Sequence, residues 1–159
     1  KSPIIIKMII SNNSKSKGLQ YAKIYKIKKK IFSFKDTLSE NEVTSELKKD
    51  NIDLICLAGF MKILSKSFIR SFRGKILNIH PSLLPKYKGL NTHEKAIKNK
   101  DKYSGCTVHF VNSKLDSGKI INQKKVKIKK FDTSKTLAKR ILTQEHKLYP
   151  AAIMKILSL

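Results

Sequence analysis

The sequence predicts one α/β domain in which a mostly parallel sheet is flanked by helices. Through the first hundred residues, short apolar runs alternate with amphipathic stretches, the pattern typical of parallel strands joined by helical crossovers. The last third changes to two neighbouring strands and one long helix. A length of 159 residues suits a single domain, and we expect residues 1–159 to form one.

The net charge bears on which kind of partner this protein binds. The net charge is +24, from 35 basic and 11 acidic residues, and such an excess favours anionic partners. The lysines are nevertheless scattered, arginines are few, and abundant Asn and Ile fit the codon bias of an AT-rich genome. We therefore expect small-molecule substrates rather than nucleic acid, and a monomer or weak homodimer.

Apolar runs and cysteines indicate the compartment. No run approaches the roughly 20 apolar residues of a membrane helix, so no membrane partner is expected. Cys56 and Cys106 lie in apolar β-type segments, which predicts two reduced core thiols and a cytoplasmic enzyme.

The chain begins at Lys1 and enters a strand almost at once, so we expect an amino-terminal truncation; a targeting signal stays open.

The first half of the chain predicts three strands and three helices. A β-branched run at 4–10 predicts a strand buried on both faces, and 18–25 predicts a short amphipathic helix. A short strand at 31–34 precedes a helix at 40–49, for which Ser39 and Glu42 would form a capping box. A buried strand at 53–58 is followed by a short helix that Ser65 caps and Gly74 ends.

The second half begins with the strand at 75–80, which ends in a proline-rich loop at 81–91. Thr92 would cap a helix at 93–99, and a strand at 106–111 leads into a polar loop at 112–118. A half-exposed edge strand at 120–128 precedes a long helix that starts at Thr133 or Ser134. Leu137, Ile141 and Leu148 share one face of this helix, Pro150 would break or kink it, and 151–157 would form a last turn or two.

Asn78 and His80 are the strongest candidates for chemistry. Side chains two apart on a strand share a face, and ligands bind at the carboxyl ends of strands in open α/β sheets. The imidazole could act as general acid or base near neutral pH, and the amide could stabilise an oxyanion. A lone histidine is also often structural, and this alternative stays open.

Asp116 lies in the polar loop and has two interpretations. It is either a plain turn aspartate or a carboxylate that orients His80 and favours its charged form. The spacings of metal sites and the glycine-rich loops of nucleotide sites do not occur in the sequence, so no metal is expected. Residue chemistry alone thus suggests an acid–base site and does not name a substrate.

Several motifs carry a resemblance to a known family. The octapeptide NIHPSLLP at 78–85 closely resembles the signature of the folate-dependent formyltransferases. AGFMKIL at 58–64 is similar to the segment whose backbone holds the pteridine ring of the folate. Three further segments resemble the purine-pathway branch of this family: KYKGLNTH at 86–93, CTVHFV at 106–111 and QEHKLYP at 144–150.

The resemblance implies a Rossmann-like formyltransferase fold whose first βα unit, with its phosphate-gripping loop, is missing from this chain. It implies transfer of a formyl group from 10-formyltetrahydrofolate, as cosubstrate, to the amine of glycinamide ribonucleotide in purine biosynthesis. Asn78, His80 and Asp116 match the catalytic trio of the family. Without the missing unit, we expect residues 1–159 to have little or no activity.

The resemblance also assigns binding residues. Folate would contact Asn78 and a set of mainly apolar positions, namely Met61, Lys62, Ile63, Leu64, Val111 and Leu115. Glu145 matches the carboxylate that contacts the glycinamide amine, and Pro81 would also touch this substrate. The chain departs from the common pattern at four positions: Lys62 for arginine, Lys88 for proline, Asn91 for histidine and Ser117 for glycine.

Three other functions are kept as alternatives. The methionyl-tRNA formyltransferases share the chemistry, and tRNA would account for the positive charge, although they carry a further carboxyl-terminal domain. The formyltetrahydrofolate hydrolases use water as acceptor. Outside enzymes, the chain could be a basic nucleic-acid-binding module on an enzyme fold, in which case its affinity would fall steeply with salt.

Overall fold

The computed structural model describes residues 4–33 and 37–158. Its helices and strands follow the order β1 (Met8–Ser11), α1 (Leu19–Ile24), β2 (Lys28–Ile31), α2 (Thr37–Lys49), β3 (Leu54–Leu57), α3 (Lys66–Ser71), β4 (Lys75–His80), α4 (Thr92–Lys98), β5 (Tyr103–Phe110), β6 (Ile120–Lys127) and α5 (Ser134–Ile156). The described residues fall into two compact units, 4–53 without 34–36 together with Leu64–Gly74, and Leu54–Ile63 together with 75–158. The single domain stays a prediction.

The first unit holds one pair of strands and three helices. β1 and β2 run parallel, with Met8 opposite Lys28. Helices α1, α2 and α3 bury apolar side chains that include Ala22, Val43, Leu47 and Phe68. The predicted cap of α3 is confirmed, because the Ser65 hydroxyl accepts a hydrogen bond from the backbone N–H of Phe68 at 3.0 Å.

The predicted burial of the first strand is wrong. β1 starts only at Met8, and Ile5 and Ile6 are 75% and 62% exposed. β-branched residues favour an extended backbone, but they carry no information on whether neighbouring elements cover it.

Two further boundaries in the first unit differ from prediction. β2 ends at Ile31, where the predicted strand begins, and Phe34 lies outside the described residues. The capping box of Ser39 and Glu42 is wrong, because α2 already begins at Thr37 and the third residue of a helix cannot be its N-cap. Ser39 instead lies with its hydroxyl 2.7 Å from that of Ser33.

The second unit contains a four-stranded sheet in the order β3-β4-β5-β6. β3 and β4 are parallel, whereas β5 runs antiparallel to both β4 and β6. Parallel strands with flanking helices confirm the α/β fold, and β5 and β6 are the strand pair predicted for the last third. Helix α5 packs on this sheet through a core of Ile79, Cys106, Val108, Leu137, Ile141, Leu148 and Ala152.

Helix α5 is not broken at Pro150, so the break is wrong as a prediction and the kink stays one. The helix begins at Ser134, one of the two predicted starts, with Thr133 as its N-cap, and it continues past Pro150 to Ile156. Leu148 and Ala152 are both buried, so packing on either side of the proline holds the helix in place. The hydroxyl of Tyr149 lies 2.9 Å from the carbonyl oxygen of Leu57 and 3.2 Å from that of Leu77, and its single proton ties α5 to two parallel strands.

Two smaller predictions in the second unit are also wrong. Helix α4 includes Thr92 and has Asn91 as its N-cap, because a left-handed backbone at Asn91, with φ of 60°, turns the chain one residue earlier. The side chain of Cys56 is exposed, whereas that of Cys106 is buried as predicted, and both are free thiols. No helix within the described ranges is long and apolar enough to cross a bilayer.

Candidate active site

The carboxyl end of β4 presents Asn78 and His80 on one face of the sheet. Ile79, between them, points to the opposite face, where it joins the core under α5. His80 is buried, with 5% of its surface exposed, and Asn78 is half-buried. The alternation of a strand therefore puts two polar groups together on the face away from α5.

Asp116 reaches this pair from the loop between β5 and β6. Its Oδ2 lies 3.4 Å from Nδ1 of His80 and accepts a hydrogen bond from the backbone N–H of Gly89 at 2.8 Å. The loop approaches β5 so closely that a Cβ atom on Gly118 would lie 1.7 Å from the carbonyl oxygen of Phe110. The structure thus brings together all three residues predicted to be catalytic.

Both ring nitrogens of His80 have protein partners. Nε2 lies 2.8 Å from the carbonyl oxygen of Tyr87, which only accepts, so Nε2 carries a proton. Nδ1 faces the Asp116 carboxylate at 3.4 Å. Asp116 therefore holds the ring from the side opposite to the Tyr87 carbonyl.

His109 completes the cluster, although the sequence did not single it out as a site residue. Its Nδ1 donates to the carbonyl oxygen of Phe110 at 2.8 Å, and its Nε2 lies 3.4 Å from Nδ2 of Asn78. Burial lowers the pKa of His109, despite the Asp116 carboxylate 3.7 Å away. A neutral His109 accepts from the Asn78 amide and so fixes which way that amide points.

The strand register explains why His109 was missed. In the antiparallel pairing of β4 and β5, Asn78 lies directly opposite His109. The motif CTVHFV marks a strand, but only knowledge of its partner and register would have placed His109 beside Asn78.

A buried hydrogen-bond network holds the loop that follows β4. The Thr107 hydroxyl donates to the carbonyl oxygen of Ser82 at 2.6 Å and accepts from the N–H of Leu84 at 3.1 Å. Gln123 donates to the same hydroxyl and to the carbonyl oxygen of Leu84, both at 2.9 Å. Side chains of β5 and β6 thereby fix the backbone that leads from His80 to Tyr87.

The residues predicted to bind folate are spread over three segments. Met61 and Ile63 are 80% and 75% exposed, Lys62 is exposed as well, and Leu64 is buried in the first unit. Leu115 is 52% exposed and lies beside Gly89, with 3.6 Å between its Cδ2 and the position of a Cβ atom there. Val111 is half-buried and pairs through its N–H with the carbonyl oxygen of Ile76 at 2.8 Å.

The two residues predicted to bind the second substrate lie on different elements. Pro81 follows His80 directly, and its carbonyl oxygen accepts from the Thr92 hydroxyl at 2.9 Å. Glu145 lies on α5, which packs against the sheet face opposite to Asn78 and His80. Burial raises the pKa of the Glu145 carboxyl.

The arrangement suits chemistry at a carbonyl carbon. It places an amide N–H donor, an imidazole and a carboxylate within one buried cluster at a strand end. Within the described ranges, no three His, Cys, Asp or Glu side chains group closely enough to hold a metal ion.

Known proteins resemble this chain over nearly its full length. The sequence matches the formyl transferase family over residues 2–153. It is 44% identical over 155 residues to phosphoribosylglycinamide formyltransferase of Haemophilus influenzae, covering 95% of this chain and 73% of that protein. It is 43% identical over 159 residues to the trifunctional purine biosynthetic protein adenosine-3 of Homo sapiens, but it spans only 16% of that relative's length.

Solved structures agree with this relationship. The crystal structure of phosphoribosylglycinamide formyltransferase from Anaplasma phagocytophilum superposes with a TM-score of 0.90 at 42% identity, covering 96% of this chain and 74% of that one. The enzyme of the same name from Bacillus halodurans gives a TM-score of 0.92 at 36% identity, with 98% and 82% covered. The chain therefore belongs to the formyl transferase family.

Proposed function

We propose that this protein transfers a formyl group from 10-formyltetrahydrofolate to the amine of glycinamide ribonucleotide, a step of purine biosynthesis in the cytoplasm. The observation that carries the proposal is the buried cluster of Asn78, His80 and Asp116 at the end of β4 in a formyl transferase chain. The choice of acceptor is supported by the names of relatives that match nearly the whole chain.

The cluster can serve each stage of the transfer. The neutral amine attacks the formyl carbon, and the carbonyl oxygen becomes an oxyanion. The Asn78 amide and an imidazolium at His80 donate hydrogen bonds to this oxyanion, which stabilises it. When the oxyanion collapses, the bond from carbon to the folate nitrogen breaks, and that nitrogen takes up a proton while the attacking amine loses one. His80 passes this proton directly or through a held water.

To reach His80, the substrate must replace one of the protein groups that now contact its ring nitrogens. The Tyr87 carbonyl occupies Nε2, while Asp116 faces Nδ1 and holds the ring. We propose that the formyl oxygen replaces the Tyr87 carbonyl as partner of Nε2, because catalytic hydrogen bonds commonly form only in the substrate complex. Asp116 would keep its position throughout and retain the proton on Nδ1.

Substrate contacts outside the cluster follow the family resemblance. Met61, Lys62, Ile63 and Leu64 would hold the folate ring, with Val111 and Leu115 beside it. The exposure of Met61, Ile63 and Leu115 leaves apolar surface available for an aromatic ring system. Glu145 would receive the amine, since the raised pKa that burial gives its carboxyl makes it a better proton acceptor, and Pro81 would border the same substrate.

The experiment compares three acceptors for one donor. The natural full-length protein, which contains residues 1–159, is incubated with 10-formyltetrahydrofolate. Glycinamide ribonucleotide, methionyl-tRNA and water are offered in separate reactions, and the formylated product or free formate is measured. We expect the full-length protein to transfer the formyl group faster to glycinamide ribonucleotide than to methionyl-tRNA or to water. Faster transfer to either other acceptor, or salt-dependent RNA binding without transfer, would refute the proposal.

A further inference from the structure

Two loops meet beside the His80 cluster through a pair of adjacent hydrogen bonds. Nζ of Lys88 donates to Oγ of Ser117 at 2.5 Å, and the backbone N–H of Gly89 donates to Oδ2 of Asp116 at 2.8 Å. Lys88 and Gly89 are neighbours in the loop after β4, and Asp116 and Ser117 are neighbours in the loop after β5. The two loops are therefore joined at consecutive residues.

The Ser117 hydroxyl has a defined polarity in this contact. It donates its one proton to the carbonyl oxygen of Leu115 at 2.8 Å, which leaves its lone pairs to accept from the Lys88 ammonium. The hydrogen bond to Leu115 closes a tight turn around Asp116. Lys88, Ser117 and Leu115 thus form one chain of bonds in which each polarises the next.

The backbone at this junction needs such support. Tyr87, Gly89 and Asp116 all have left-handed backbones, with φ of 54°, 76° and 44°. Two of the three are not glycine, and such residues keep this conformation only where their surroundings hold it. Tyr87 and Asp116 are also the two groups that engage the ring nitrogens of His80.

We infer that Lys88 and Ser117 are positioning residues, which hold the Asp116 carboxylate against Gly89 so that it faces Nδ1 of His80. The inference rests on the proposed function for its kinetic consequence only.

Four variants of the full chain test the inference. Lys88→Met removes the ammonium and keeps much of the chain length, Ser117→Ala removes the acceptor, and the double variant removes both. Lys88→Arg restores a cationic donor. Lys114→Met is the matched control, because Lys114 is an exposed lysine in the same loop as Asp116 and its loss changes the net charge equally.

The first measurement does not depend on activity. The ring nitrogens of His80 are followed by 15N NMR in residues 1–159, with thermal unfolding recorded for each variant. We expect Lys88→Met and Ser117→Ala to shift these resonances alike, the double variant to add nothing, and Lys88→Arg and Lys114→Met to leave them near the original positions. Should Ser117→Ala unfold, Lys88→Met alone decides, because Lys88 is exposed.

The second measurement is turnover of the full-length protein. Loss of one hydrogen bond to a charged group predicts a fall in kcat of about fivefold in both single variants and the double variant, with KM for the folate nearly unchanged. An equal loss in Lys114→Met, or losses that multiply in the double variant, would overturn the inference. Altered His80 resonances in a protein that transfers no formyl group would reject the proposed function and leave the positioning role standing.

Discussion

Each unit of the molecule contains a cluster of basic and acidic side chains, and the two clusters differ in exposure. In the first unit, Nζ of Lys28 lies 2.7 Å from a carboxylate oxygen of Asp50 and 2.8 Å from one of Glu46, with side chains 22–35% exposed. In the second unit, Asp116 lies between His80 and His109, and the exposed fractions of the three side chains are 9%, 6% and 3%.

The pKa of a basic group beside a carboxylate shifts in opposite directions in the two clusters. The hydrogen bond to Asp50 raises the pKa of Lys28, whereas burial lowers the pKa of His109 although Asp116 acts against it. In the exposed cluster attraction prevails because desolvation is small, and in the buried cluster desolvation prevails. Similar pairs of residues therefore make a solvated ion network in one unit and a neutral hydrogen-bond acceptor in the other.

The largest expected effect separates the two clusters by function. His80→Ala and Asn78→Ala should each lower turnover of the full-length protein at least ~100-fold, since under the proposed mechanism each removes an acid–base group or an oxyanion donor. Lys28→Met should leave turnover unchanged. Steady-state kinetics, with circular dichroism to verify folding, measure both, and near-normal activity in either site variant would contradict the assignment.

A smaller expected effect distinguishes the two clusters by the pH range in which each changes thermal stability. Because burial lowers the pKa of His109 below its ordinary 6.5, the unfolded chain binds protons that the folded chain does not. This contribution to stability is complete above about pH 6.5 and is lost as the pH falls through the folded pKa. We expect Tm to drop from pH 7 to pH 5. His109→Gln should flatten that slope only partly, because burial also lowers the pKa of His93; an unchanged slope would show that His109 is not held neutral.

The smallest effect concerns the exposed cluster at lower pH. The hydrogen bond from Lys28 lowers the pKa values of Glu46 and Asp50 from their ordinary 4.5 and 3.8. Their stabilising contribution is present above these values and is lost as the pH falls through the folded pKa values. Lys28→Met should reduce the decline in Tm below pH 4.5 and leave the slope from pH 7 to pH 5 intact. An effect of this variant in the higher range would mean that the clusters are not independent.

Local patterns predicted the elements whose signals are complete within the sequence. The bounds of β4, the cap Ser65 and the start of α5 at Ser134 agree with prediction, because each depends on neighbours only a few residues away. The predicted capping box at Ser39 is wrong, because a serine followed three residues later by a glutamate also occurs inside helices. Helix α2 begins at Thr37, where the sequence carries a weaker capping signal.

The candidate site was predictable in part. Asn78 and His80 follow from strand alternation, and Asp116 entered through the family resemblance. His109, the Tyr87 carbonyl and the Lys88–Ser117 contact depend on strand register and on loops with left-handed backbones. Those features arise from pairing between distant segments, which no local pattern encodes.

The absorbance of Tyr149 can report whether the second unit is folded. Its phenol lies between the carbonyls of Leu57 and Leu77, and burial raises its pKa far above the ordinary 10. Ionisation of that ring therefore requires α5 to leave the two parallel strands. In an alkaline titration, the absorbance of this one phenolate would appear together with the opening of the sheet, so a spectrometer could watch the second unit come apart without any added label.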